Sequence, residues 1–303
     1  MGRWKVEIVD KSLFEQLWIV VGRSESTGIT IPLAYFLLPN KAHTTYEIVL
    51  KKLKDLGVVN VEVFHIDFEA SALKAILAVY VNAKIEGCDV HWKRQLREGQ
   101  LRVGLSKFSD DELTIQSWIR MLWCLCFVPV CDVVQVYEEL VLPHKPDIVI
   151  EEQDDEAEAE EYMKSLNEFT KYFEGTWIGK VNPRTKNRGQ PKFKLSYWNH
   201  YDCVMNREGE ITNNYSEAYN SQMKITVSMA PNIFAILKAI QDEEAIGHQK
   251  IAAVLAGNGS ADPNPARSKK YRDSKMKLKA VVGKYEKVST ADYIQAVMSH
   301  FNA

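Results

Sequence analysis

The chain has 303 residues, 46% apolar and 26% charged, the proportions of a globular protein with a substantial core. Its five cysteines, Cys88, Cys124, Cys126, Cys131 and Cys203, are odd in number and follow no framework spacing, which argues against a disulfide-stapled scaffold and predicts a reducing, intracellular compartment. The net charge of −2 hides an asymmetry: "EEQDDEAEAEE" at 151–161 holds eight acids, and without them the balance becomes +6, compatible with a polyanionic partner.

The runs "LWIVVGR" (17–23) and "ITIPLAYFLLP" (29–39), separated by a polar turn, predict a β-hairpin. Residues 43–56 place Tyr46, Val49, Leu50, Leu53 and Leu56 on one helical face, and Gly57 supplies the stop. A β-branched run over 58–66 predicts a buried strand that ends at Asp67. Leu73, Ile76, Leu77 and Tyr80 then repeat at helical spacing. A short strand at 83–88 and a helix at 89–99 follow.

The pattern from about 109 to 141 is helical and strongly apolar, broken near Pro129. Its longest apolar run, 121–131, is too short to span a bilayer, so a soluble protein with no membrane partner is expected. The acidic run has no core pattern and predicts a solvated helix or loop. Residues 171–202 read as aromatic loop, with six basic residues and no acid over 180–194. "TNNYSEAYN" (212–220) opens a helix capped by Thr212 or Asn213, residues 231–256 look helical, and a basic helical hairpin runs from 266 to the end.

Strands alternating with helices predict an α/β fold whose ligands sit at the carboxyl ends of the strands. Asp67 stands at such an end. Two readings are open for it: N-cap of the next helix, or, with Glu69, part of a hard-cation site. Cys88 and His91 form a C-x-x-H pair, half of a structural zinc set, with no second pair at a suitable spacing. Glu217 and Asn220 share a helix face. Arg184, Lys186, Arg188, Lys192 and Lys194 are candidate phosphate contacts, as is the basic stretch 267–279, and Phe193 and Tyr197 are candidates to stack on bases; the alternative is a solvated charged face.

Several segments, in order, carry a resemblance: "FEQLWIV…IPLAYFLLPNKAHTTY", "VFHIDFEASALKAI…AKIEGCDVHWKRQLR", "MLWCLCFVPVCDVVQVYEEL", "YFEGTWIG", "YWNHYD" and "TNNYSEAYN". This series resembles the Mutator-like (MULE) transposases of animal genomes, clearly over 10–240 and loosely over 241–303. The resemblance implies an RNase H-like mixed sheet with a helical insertion, and three carboxylates holding two divalent ions, Mg²⁺ or Mn²⁺. By motif, Asp67 matches the second aspartate and Glu217, inside TNN-x-x-E-x-x-N with Asn213, Asn214 and Asn220, matches the glutamate. Cys88 and His91 match the family's C-x-x-H.

One departure stands out. Gly2 matches the glycine of the family's first-aspartate motif, and Met1 occupies the aspartate's place. The resemblance then implies that the central strand is missing, leaving two half-sheets with open edges; "WKVEIV" (4–9) is a candidate to fill the gap. Four segments follow: 1–105 as the first part of the core, 106–170 as helical insertion, 171–256 as basic loop and glutamate helix, and 257–303 as basic extension. The function expected is a DDE transposase domain, without cleavage activity for want of the first aspartate and binding metal weakly. The alternatives are a domesticated non-catalytic DNA-binding protein or an inert remnant. DNA, a homo-oligomer and a nuclear location complete the expectations.

Overall fold

The computed structural model describes residues 3–4, 14–23, 30–108, 113–147, 156–206, 233–256 and 265–301. Its strands are β1 (Arg3–Trp4), β2 (Gln16–Arg23), β3 (Thr30–Leu38), β4 (Val63–Ile66) and β5 (Lys84–Gly87). The longer helices are α1 (His43–Asp55), α2 (Ala70–Val79), α3 (Asp89–Arg102), α4 (Leu113–Cys124), α5 (Glu156–Phe173), α6 (Ile233–Leu255), α7 (Pro265–Val282) and α8 (Thr290–His300). The architecture is α/β and mostly helical, with sheet orders β1-β2-β3 and β4-β5. Two compact units divide the chain: Met1–Ile85 with Thr212–Ser268, and Glu86–Ile211 with Lys269–Ala303. These boundaries differ from the four segments drawn from the sequence.

In the first unit, β2 and β3 form the expected antiparallel hairpin, with Gln16 opposite Leu38 and a register shift between Val20 and Val21. Arg3–Trp4 pairs with β2 on its other edge, the nearest realisation of the "WKVEIV" expectation among the described residues. The run "LWIV" is apolar without alternation, and all four of its residues are buried, as when both faces of a strand are covered. Leu17 and Ile19 pack with Ile236 and Ala239 of α6. Trp18 meets the Tyr46 ring of α1 edge-on at 5.1 Å.

On α1, Tyr46, Leu50 and Leu53 are buried as their spacing predicts. Leu56 is 67% exposed, because it is already the C-cap residue and the stripe ends before it. Gly57 follows at φ +99°, the left-handed stop. The predicted strand 58–66 shortens to Val63–Ile66. Its first residues are engaged elsewhere: Val58 N–H bonds Leu53 O and the Tyr80 hydroxyl donates to Val58 O at 2.8 Å. A bond from Lys84 N–H to Glu62 O, 2.8 Å, lies at the start of the β5 segment.

The second unit is built around tryptophans. Trp92 of α3 is fully buried, stacked on Trp198 at 4.5 Å and 13° and edge-on to Trp177 at 4.6 Å. The loop expected over 171–202 is found at 180–194, while its two ends join the core: α5 runs on into a π-turn at Glu174–Ile178, and short helices form at Leu195–Trp198 and Tyr201–Asn206. The large apolar rings in this segment explain the difference, since burying them holds the backbone in place. The acidic run enters α5 at Glu156, and Ala159 is buried, so its helical half is not wholly solvated. On α8, Ser289 caps by accepting from Asp292 N–H at 3.2 Å.

Candidate functional site

Asp67 follows β4 directly and is half-buried. It does not occupy the cap position, which corrects one of the two sequence readings: the N-cap of α2 is Glu69, and no side chain caps there. Between them Phe68 is 5% exposed and sits at φ 57°, in the left-handed region. A bulky residue there is an outlier that costs about 1–3 kcal/mol and persists only where its surroundings enforce it. Glu69 is tied inward. Tyr46 Oη donates to Glu69 Oε1 at 3.1 Å and itself accepts from Gln16 Nε2 at 2.8 Å. Asp67 and Glu69 offer carboxylate oxygens, the donor type that Mg²⁺ and Mn²⁺ take. Glu217, Asn213, Asn214 and Asn220 lie outside the described residues.

The basic segment 180–194 forms a short finger. Val181 bridges Arg188 in antiparallel fashion, and the Asn182 side chain accepts from the backbone N–H groups of Arg184 and Thr185 at 2.9 and 3.2 Å. Arg184, Lys186, Lys192 and Lys194 are exposed. Arg188 instead turns inward, paired with Glu138 and Glu174. Phe193 and Tyr197, candidates to stack on bases, are 2% and 9% exposed. Phe193 stacks on Trp177 at 5.0 Å. Their ring faces belong to the core, so the stacking expectation is corrected.

A site that sequence spacing does not reveal lies in the second unit. The "CDVH" stretch opens α3, with Cys88 as its buried N-cap residue. Yet among the described residues the one grouping of three metal-ligating side chains is Asp89, Cys126 and His200, whose ligand atoms all lie within 4.8 Å of one another. It takes the residue inside the C-x-x-H pair and leaves Cys88 and His91 out. Three segments supply it: the first turn of α3, the 3₁₀ turn Leu125–Phe127, and the link between two short helices at Asn199–His200. The His200 N–H bonds Cys126 O at 2.6 Å, and the Asn199 side chain bonds Val128 O at 2.7 Å, which locks the second and third segments together.

Asp89 is 3% exposed, Cys126 0% and His200 3%. Trp123 Nε1 donates to Asp89 Oδ1 at 2.9 Å, and Lys93 Nζ lies 3.3 Å from Oδ2 and 3.8 Å from the Trp123 ring centroid. Burial pushes the Cys126 thiol well above its usual range, reinforced by the Asp89 charge. Burial also lowers the His200 imidazole, against the opposing pull of Asp89 and Glu86. His200 Nε2 is buried without a hydrogen-bond partner. Only the relation of Cys126 and His200 to Asp89 in space defines the group, and residues 37 and 74 positions apart carry no spacing signal that would have found it.

Comparison of the chain with family models, with curated proteins and with solved structures finds no match. Among the described residues no helix is long and apolar enough to cross a membrane.

Proposed function

We propose that the chain is an RNase H-like domain of the Mutator-like transposase kind, acting on DNA in the nucleus, with Asp67 as one of its metal-holding carboxylates. The observation that carries this reading is the Asp67–Phe68–Glu69 junction. The carboxylate stands at the end of a strand, is not the helix cap, and adjoins a left-handed, buried phenylalanine. Strain of that kind clusters at functional positions. In this reading the β2–β3 and β4–β5 pairs are the two half-sheets that the resemblance implies when the central strand is missing.

When bound, Mg²⁺ or Mn²⁺ supplies the Lewis acid that activates water or a 3′-hydroxyl and stabilises the leaving oxygen. Asp67 and, by the resemblance, Glu217 would hold it. Glu69 fixes the junction through Tyr46 and Gln16. Arg184, Lys186, Lys192 and Lys194 contact phosphates, and Arg188 braces the finger that presents the first two.

A second reading, DNA binding without cleavage, is favoured by that finger, which presents the exposed cations Arg184, Lys186, Lys192 and Lys194. Nicking of supercoiled plasmid in Mn²⁺ and gel shift at several salt concentrations test both. With Met1 in the first aspartate's place the chain is expected to bind Mn²⁺ weakly and not to nick; Mn²⁺ binding, or any nicking, that disappears in Asp67→Asn supports the metal-holding role of Asp67. Binding that falls steeply with salt, without nicking, supports the second. Equal nicking by the parent and Asp67→Asn, or no binding at low salt, overturns the assignment.

A further inference from the structure

We propose that Asp89, Cys126 and His200 form a binding site for a transition metal ion of the zinc type, which clips three segments of the second unit together. The argument begins with ligand chemistry. A thiolate, an imidazole and a carboxylate are the donor set of Zn²⁺, whereas Mg²⁺ and Mn²⁺ prefer oxygen alone. The ligand atoms already stand within 4.8 Å of one another. A tetrahedral ion with bonds of 2.0–2.3 Å needs its ligands roughly 3.5 Å apart. Closing from that separation asks for shifts of about 1 Å.

Charge and satisfaction point the same way. The Asp89 carboxylate and the Cys126 thiolate together neutralise a divalent ion, so a buried metal leaves no net charge in the group. Without a metal, the group contains a fully buried thiol and an imidazole whose Nε2 has no hydrogen-bond partner. Buried polar atoms in that state are uncommon and call for an explanation. The outer contacts are those that orient a metal-bound carboxylate: Trp123 Nε1 on one oxygen and Lys93 on the other. The backbone bond from His200 N–H to Cys126 O presets two of the ligands. With three protein ligands, a water completes the fourth position. The ion joins residues far apart in sequence and so adds to the stability of the fold.

Cobalt(II) is the probe, because a Co²⁺–thiolate bond gives a charge-transfer absorption and a tetrahedral ion gives intense visible bands. The full chain, stripped with chelator, is titrated with Co²⁺ and then with Zn²⁺. The expected result is one equivalent of Co²⁺ bound with the thiolate band, bleached by one equivalent of Zn²⁺, and a rise in the unfolding temperature with either ion. Cys126→Ser abolishes the thiolate band, and His200→Gln weakens binding at least tenfold. Cys131→Ser, which alters an exposed thiol, changes neither. No thiolate band in the parent chain overturns the proposal whatever the variants do, as does a band that survives in Cys126→Ser or disappears in Cys131→Ser.

Discussion

Arg188 grips Glu174 with both terminal nitrogens, Nη1 and Nη2 each donating to Glu174 Oε1 at 3.2 Å. The same guanidinium reaches Glu138 Oε1 through Nε at 2.7 Å and Gly179 O through Nη1 at 2.6 Å. Its face lies 5.3 Å from the Tyr137 ring centroid, and Tyr137 Oη donates to Glu174 as well. One arginine thus closes the base of the basic finger, and the side chain is only 11% exposed.

Arg188→Ala should therefore destabilise the protein by roughly 2 kcal/mol, since it strands a partly buried carboxylate. Arg184→Ala and Lys186→Ala, at the exposed tip, should leave stability within about 0.5 kcal/mol. If the finger contacts DNA, each of those two lowers the salt slope of binding by about one. Denaturant titration and gel shift separate these effects. A neutral Arg188→Ala would show that the pair network contributes nothing.

Trp92→Ala should cost about 3–5 kcal/mol, the range for truncating a fully buried aromatic ring. The loss comes from the contacts with Trp198, Trp177 and Phe173 and from the bond that Trp92 Nε1 makes to Trp123 O at 3.3 Å. Trp92→Phe keeps part of the stack and should recover about half. Denaturation followed by tryptophan fluorescence reads both.

Tyr46→Phe removes the hydroxyl that joins Gln16 to Glu69. Gln16 is 1% exposed and its Oε1 is also without a hydrogen-bond partner, so the buried amide loses its Nε2 contact too. The expected cost is about 1–2 kcal/mol, with the ring packing against Trp18 unchanged. A stability equal to the parent's would mean that water reaches the amide.

Gly57 and Gly179 share a left-handed backbone, φ +99° and +100°, in different surroundings. A Cβ at Gly57 meets nothing within 4 Å, whereas one at Gly179 runs into the carbonyl oxygen of Gly189. Gly57→Ala should cost about 1–2 kcal/mol of backbone strain alone. Gly179→Ala should cost distinctly more, because the finger must shift to admit it. Equal losses in the two variants would remove the steric part of this account.

Of the five cysteines only Cys131 is exposed, so native-state labelling should modify one thiol and denaturant should release the other four. The Asp132 side chain, hydrogen-bonded to Cys131, holds its thiol above the usual range. The thiolate is the reactive form, so labelling at neutral pH should be slower than for an unperturbed thiol and should keep rising past the ordinary thiol range. Asp132→Asn should speed it. A rate unchanged by that substitution would refute the coupling.

Much of the fold is legible along the chain because it rests on local periodicity. The hairpin of β2 and β3, the stripe Tyr46–Leu50–Leu53, the Gly57 stop and the position of Asp67 at a strand end all follow from neighbours within a few residues. What periodicity cannot carry is the choice between a ring that faces solvent and one that faces the core. Phe193 and Tyr197 sit among lysines and look like a nucleic-acid surface, yet both are buried, Phe193 stacked on Trp177. Arg188 looks like its neighbours Arg184 and Lys186 and is instead the brace beneath them.

The same limit governs the two candidate sites. Asp67 could be found because a strand end is a local event, whereas its displacement from the helix cap by the left-handed Phe68 is a packing outcome. Asp89, Cys126 and His200 meet only because α3, the turn after α4 and the Asn199–His200 link fold against one another. Hydrophobic spacing determines which segments become helix and strand; the convergence of distant side chains depends on which buried surfaces pair, and that is decided only when the core closes.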